Sequence, residues 1–552
     1  MAFVGSLLLA ACAVGFFLLG KQARQAPLPS FKRITLRHGS VGTARFTPDF
    51  QSVVYSARFQ GRPGEMFVQR LASADARPLG VTNASVIGTR GGDVAILRLD
   101  GTLAQLPLEG GTPRDLLVKV DEATWDRSGH GFVVVRGTQG HYRLEYPLGK
   151  VLLETTGIEG ISSPRLSPDG SRIAFIHHRN SDDDSGDVCV VDTLGRKQTL
   201  SKGWPDIGPA IWSPEGDEVW FSATKVGTSR QLHAVTLSGK ERLVARLPGS
   251  LMVQDIAPDG RVLATFGQAR RFELRGRMAG DAAERDLSWL DGTNTPILAP
   301  DGTQMVFQDW GEGGGAETSA YHWRMVGSAP KRLGEGSPFD VSPDWTTVLV
   351  GVGVGEKMEA KLVPIGPGET VTLPRGPIHT LSWGFFHPDK KRVVLLGSDA
   401  EGHTMVFVQR LDGGPPRPLA PSIWGGMGPI SPDGRFVAMR TKEDRPRLLQ
   451  PIEGGDAHPI PFLKPDDRLV GFGEDSSSVY ICPGAVPPFS FPIHVARLDL
   501  RSGARTAWLD LMPPDVTGVG GLHTVRLTPN GRFYTYFYVR ELSDLYLIEG
   551  LR

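Results

Sequence analysis

Apolar and polar residues alternate along most of this chain in short runs, and the runs come in pairs separated by a tight turn. Residues 166–176, LSPDGSRIAFI, show one pair in full. Pro168 presets the second turn position, Asp169 bonds its own backbone, and Gly170 accepts the left-handed conformation that sends the chain back. The pattern predicts a β-hairpin. The same turn word recurs at residues 46–50, 212–216, 257–260, 299–302, 341–345, 387–390, 431–434 and 528–531.

The spacing of these turns carries more than any one of them. From Pro168 the intervals to Pro214, Pro258, Pro300, Pro343, Pro388 and Pro432 are 46, 44, 42, 43, 45 and 44 residues. One unit parses into strands at 162–166, 172–177, 187–192 and 197–200. A fixed period with four strands per unit points to propeller blades rather than a helical solenoid. Three further units, at 86–97, 125–135 and 470–482, keep the period without the Pro-Asp word. Twelve units of about 44 residues exceed the usual 4 to 8 blades of one ring. The expected fold is all-β, with two propellers of about six four-stranded blades at 31–289 and 290–552.

The ends suggest how a ring closes. The unit at 525–550 has strands at 532–538 and 544–549 but lacks a fourth, while residues 31–36, FKRITL, read as a lone strand before the first unit. Pairing that strand with the last unit would cover an exposed edge. In that case the two propellers would be nested along the chain rather than consecutive.

Composition changes the picture at two points. Lys plus Arg and Asp plus Glu both number 60, so there is no basic footprint for nucleic acid. Residues 1–20 carry no charge, and a helix of that length spans roughly 30 Å, enough to cross a bilayer. The reading is one N-terminal transmembrane helix followed by a linker at 21–30. A cleaved signal ending at Ala11-Cys12-Ala13 and a lipid anchor on Cys12 are the alternatives. Six positive charges and no acid lie between Lys21 and Pro48, which by the positive-inside rule alone would keep the blades in the cytoplasm.

Candidate chemistry is sparse. The chain has no G-x-S-x-G, no H-E-x-x-H, no P-loop and no kinase H-R-D or D-F-G, so no catalytic, cofactor-binding or metal residue is assigned and no cofactor is expected. Asp182 and Asp184 in NSDDDSGD approach a calcium loop, but Gly186 is one place late and no Glu follows, which favours a solvated hairpin loop. Residues 311–315, GEGGG, join two strands and have no helix to add a dipole. His177-His178 ends a strand as satisfied or exposed imidazoles, with no other ligand-type spacing to support a metal site. Cys189 and Cys482 read as buried apolar residues, a disulfide between them remaining open. Residues 482–492, CPGAVPPFSFP, carry Phe489 and Phe491 on stiff backbone and form the best candidate binding surface, or else a lid on the chain's own blades.

The repeats resemble the Tol-type, WD40-like Pro-Asp-Gly propellers of bacterial envelope proteins. More specifically, 31–49, 237–250, 284–291, 311–315, 511–515 and the ending LSDLYLIEGLR at 542–552 resemble the extracytoplasmic region of bacterial membrane-bound serine/threonine protein kinases. The resemblance implies a non-catalytic sensor or binding module, with the propellers in the periplasm and a single membrane pass. Its partner would be a protein or a small envelope ligand, with a separately encoded kinase domain, since no kinase motif is present here. A Tol-like envelope scaffold and, from another class, a propeller hydrolase or lyase are the alternatives.

Overall fold

The computed structural model describes residues 28–551 except 126–130, 139–140, 157–158, 182–183, 269, 291, 312–317, 326, 422–426, 440–447 and 485–490. The expected membrane helix at 1–20 lies outside these residues. Among the described residues no helix is long and apolar enough to cross a membrane, and the helical structure is the 3-10 turn Gly355–Lys357.

The Pro-Asp-Gly words fold as the sequence predicts. At the first of them, Gly170 N–H donates to Ser167 O at 2.9 Å. The Ser167 hydroxyl donates to Asp169 Oδ1 at 2.6 Å, and Ser171 donates its amide and hydroxyl to the same carboxylate. These bonds hold the Asp169 carboxyl down to about 2. Gly170 has φ 72°, the left-handed value that a residue without Cβ adopts freely. The hydroxyl-to-acid or hydroxyl-to-amide bond returns in Thr47–Asp49, Ser342–Asp344, Ser431–Asp433 and Thr528–Asn530. The period is therefore a repeated physical unit.

The described residues form twelve four-stranded antiparallel sheets. The first strand of each packs against the first strand of the next, and these contacts close two circuits of six. One runs through Gly39–Phe46, Ala84–Arg90, Glu122–Trp125, Gly160–Leu166, Asp206–Trp212 and Ser250–Ile256 and returns to its start. The other runs through Thr293–Leu298, Ser337–Val341, Thr380–Phe386, Met427–Ile430, Arg468–Phe472 and Val519–Leu527. This is β-propeller architecture. A bulge interrupts the pairing of the first strand with the second in every sheet but that of Glu122–Trp125, and bulges bend strands and add local twist.

The core lies between the faces of adjacent sheets. Ile176, Val188 and Val190 of one sheet meet Ile207, Phe221 and Val235 of the next, all buried.

Two expectations about the chain path are corrected. The unit at 525–550 is not one blade. Its strand Val519–Leu527 pairs with Tyr534–Arg540, which pairs in turn with Arg271–Arg277, whereas Ser543–Glu549 leaves to pair with Val262–Gly267 on one side and Ser30–Arg33 on the other. The sheets accordingly part between Gly267 and Arg271, and again between Arg540 and Ser543, rather than near 290. The second circuit is thus inserted into the last sheet of the first. Register fits the exchange: Val262, Leu263 and Ala264 match Ile548, Leu547 and Tyr546, so Val262, Ala264, Tyr546 and Ile548 share the core on one face of the sheet and Leu263 and Leu547 the core on the other.

Candidate functional site: the throats of the two circuits

Each circuit surrounds an axis, and five ionisable residues on the inner strands share one sequence position. Arg45, Arg165, Asp255, Asp340 and Arg526 each lie three residues before the proline of their turn, at Pro48, Pro168, Pro258, Pro343 and Pro529. A common place in the repeat becomes a common place in the ring.

Two of these acids fasten one sheet to the next. Asp255 Oδ2 accepts the Phe46 amide at 2.9 Å, closing the first circuit from its last sheet to its first. Asp340 Oδ2 accepts the Phe386 amide at 2.8 Å in the same way. Both amides belong to the aromatic residue just ahead of a turn word. The arginines face charge across the axis. Arg45 Nη1 donates to Ala44 O at 2.7 Å and Gln254 O at 2.8 Å, and Arg165 Nη1 donates to Pro164 O at 2.9 Å. Burial pushes the Glu122 carboxyl up, opposed by Arg165, the Ser163 amide and Arg45. Arg45 stands two sheets away from Glu122 around the ring, so this interaction spans the throat. The first throat therefore holds the Arg45 and Arg165 guanidinium groups together with the Glu122 and Asp255 carboxyls.

In the second throat Asp340 keeps a little accessible surface but is enclosed by protein, and burial pushes its carboxyl up to about 7 against the pull of the Phe386 and Val341 amides. Burial lowers Arg526 to about 10, so it stays cationic at neutral pH. Asp340 gives a testable sign. Between pH about 4 and 7 the folded chain holds a proton that the unfolded chain has released, so this group favours folding at the acid end and that contribution is lost as pH rises. Relative to Asp340→Asn, which keeps an oxygen for the Phe386 amide, the unsubstituted chain is expected to lose about 2–4 kcal/mol of stability from pH 4 to 8. Urea unfolding across that range reads the difference. Parallel curves for the two proteins would refute it.

Where the circuits meet, charges are clasped. Arg230, 5% exposed, donates Nε to Asp206 Oδ1 at 2.8 Å and has Asp184 Oδ1 at 3.8 Å. Arg270, in the passage between the circuits, reaches Asp184 Oδ2 at 2.5 Å. Burial raises the Asp184 carboxyl but Arg270 and Arg230 outweigh it and leave it low, whereas for Asp206 burial outweighs Arg230 and leaves it high. Burial, Arg468 and Arg270 depress the nearby His523 imidazole, against Asp184.

The weaker sequence signals resolve separately. Asp184 serves this clasp, while Asp182 lies outside the described residues. His178 is satisfied by Ser162 Oγ and Ser185 O, both at 2.7 Å, and His177 Nε2 lies 3.6 Å from Glu159. Gly311 N–H donates to Asp309 Oδ1 at 3.1 Å, and the rest of the glycine run, 312–315, lies outside the described residues. Phe491 packs on the core of its own sheet, and Phe489 is among the residues not described. Cys189 and Cys482 are buried free thiols in different circuits, which closes the disulfide alternative, and burial pushes Cys482 up to about 11. Sequence reading missed one grouping, Asp399, Glu401 and His403, an exposed cluster. There Asp399 bonds the His403 amide at 2.8 Å and ring at 3.2 Å and so fixes its own turn.

No protein-family model and no curated protein matches the chain. Solved structures do. It is similar to TolB from Acinetobacter baumannii, at 14% identity over 76% of this chain and 81% of that one, with a TM-score of 0.25. Similarity to the tricorn protease is 12% identity over 92% and 58%, with a TM-score of 0.31. For the GH74 enzyme of Niastella koreensis it is 12% over 92% and 90%, with a TM-score of 0.35. The architecture above rests on the chain's own sheets.

Proposed function

We propose that the chain is a non-catalytic binding module of the bacterial cell envelope, made of two six-bladed propellers, that grips a protein partner at its throats. The observation that supports this is the convergence of Arg45, Arg165, Asp255, Asp340 and Arg526 from one repeat position onto the axes, where a rigid ring holds them ready for a polar segment of a partner. Residues 1–20 would tether the module to the membrane with the propellers on the periplasmic side. The resemblance to kinase sensor regions extends the reading to signalling, with a separately encoded kinase as the coupled partner. Photo-crosslinking in intact cells tests the grip. A benzophenone side chain at exposed Ser382 on the inner strand Thr380–Phe386 is expected to give discrete heavier adducts. The same group at Leu243, exposed on the outer strand Glu241–Ala245, is expected to give none. Adducts at both places, or at neither, would remove the proposal.

A further inference from the structure

On the turn side of the second circuit, a cleft of 580 Å³ opens between the sheet beginning Thr293–Leu298 and the sheet beginning Ser337–Val341. Such gaps are closed at four other junctions. There the turn glycine lies against the preceding sheet: Gly216 on Pro168, Gly302 on Phe533, Gly434 on the His387 ring and Gly531 on Tyr480 and Trp508. Here Trp345 replaces the glycine and adopts φ 58°, a conformation that costs a bulky residue on the order of 1–2 kcal/mol. Its indole, with Ile365 and Pro367, forms one wall of the cleft.

The opposite wall is basic. Arg324 ends one strand, Lys331 begins the next, and His322 is paired in register with Lys331. His322 is 6% exposed and its Nε2 is engaged by Gln304 Oε1 at 2.9 Å. Among the described residues neither Arg324 nor Lys331 has an acidic partner, so two positive charges stand at the cleft unneutralised. Burial lowers the His322 imidazole, and Arg324 and Lys331 lower it further, as a positive field does.

We propose that this cleft binds a small dianion with a ring body, of the phosphate-monoester class, its oxygens on Arg324 and Lys331 and its ring against Trp345. The volume falls within the range of small-ligand sites, roughly 300–1,000 Å³. Two cations match the charge of one phosphate monoester, and the indole face matches a planar ring. This site is independent of the throats.

Calorimetric titration of the full chain with adenosine 5′-monophosphate, phenyl phosphate, inorganic phosphate, adenosine and phthalate tests it. At least one ring phosphate is expected to bind with a Kd on the order of 0.1 mM, at least tenfold tighter than phosphate or adenosine and tighter than phthalate. The Arg324→Ala/Lys331→Ala double variant is expected to lose at least tenfold in affinity. Trp345→Gly supplies the residue the turn prefers, so the chain stays folded while ring-phosphate binding weakens severalfold and inorganic phosphate binding does not change. No binding below 1 mM, tighter binding of phthalate, or unchanged affinity in the double variant would each overturn the proposal.

Discussion

Removing residues 543–552 is expected to leave the first circuit unable to close, with loss of its cooperative unfolding transition. The strand Ser543–Glu549 sits between Val262–Gly267 and Ser30–Arg33 and donates or accepts along both edges. It also buries Leu545, Leu547 and Ile548, which are 0%, 5% and 0% exposed. Full burial of such side chains is worth roughly 1.5–3 kcal/mol each, and the lost ladder bonds add to it. The sum rivals the 5–15 kcal/mol that holds a typical domain together. Two further ties vanish, the Arg33–Asp544 ion pair at 2.8 Å and the bond from Leu545 N–H to Thr35 Oγ1 at 2.9 Å. Scanning calorimetry and limited proteolysis check the outcome: cleavage is expected throughout 30–267, and a peptide spanning 543–552 added in excess should restore protection. A truncated chain with unchanged melting and unchanged protease resistance would contradict the assigned topology.

Arg230→Met is expected to destabilise the chain by about 3–5 kcal/mol, because a buried carboxylate loses its counter-charge. Among the described residues Arg230 is the one cation bonded directly to Asp206, and methionine replaces its length but not its donors. Asp184 retains Arg270, so the cost falls mainly on Asp206. The double variant Arg230→Met/Asp206→Asn removes the orphaned charge and should recover much of the loss, a coupling that a double-mutant cycle isolates. Guanidinium unfolding supplies the numbers. A cost below 1 kcal/mol for the single variant, or no recovery in the double, would show that the clasp adds little to folding.

The repeat was legible in the sequence because each turn is chemically self-contained. Ser167, Pro168, Asp169 and Gly170 satisfy one another and need no distant partner. Sheet membership was less so. Arg271–Arg277, RFELRGR, alternates like any half-buried strand, and nothing local tells it to pair with Tyr534–Arg540 rather than with its neighbours in sequence. For the same reason Ser543–Glu549 was placed in the wrong sheet and the division was expected near 290. The throats went unnoticed because a single arginine or aspartate on an alternating strand looks like a solvent-facing residue. The signal was present all the same: the place three residues before the turn proline holds Arg45, Arg165, Asp255, Asp340 and Arg526, and aligning the units on that proline brings the charges into one column. The cleft at Trp345 had a fainter trace, a bulky ring where most sister turns carry glycine, though Phe50 and Lys390 also stand at that place.

Insertion of one circuit within another has a consequence for biosynthesis. Val262–Gly267 leaves the ribosome with one edge unpaired, and its partner follows only after about 275 further residues, on the order of tens of seconds at usual elongation rates. During that interval five finished sheets wait beside an open seam while the inner ring assembles. The nascent protein thus carries a bare strand edge for about half of its synthesis, the kind of surface that holding chaperones recognise.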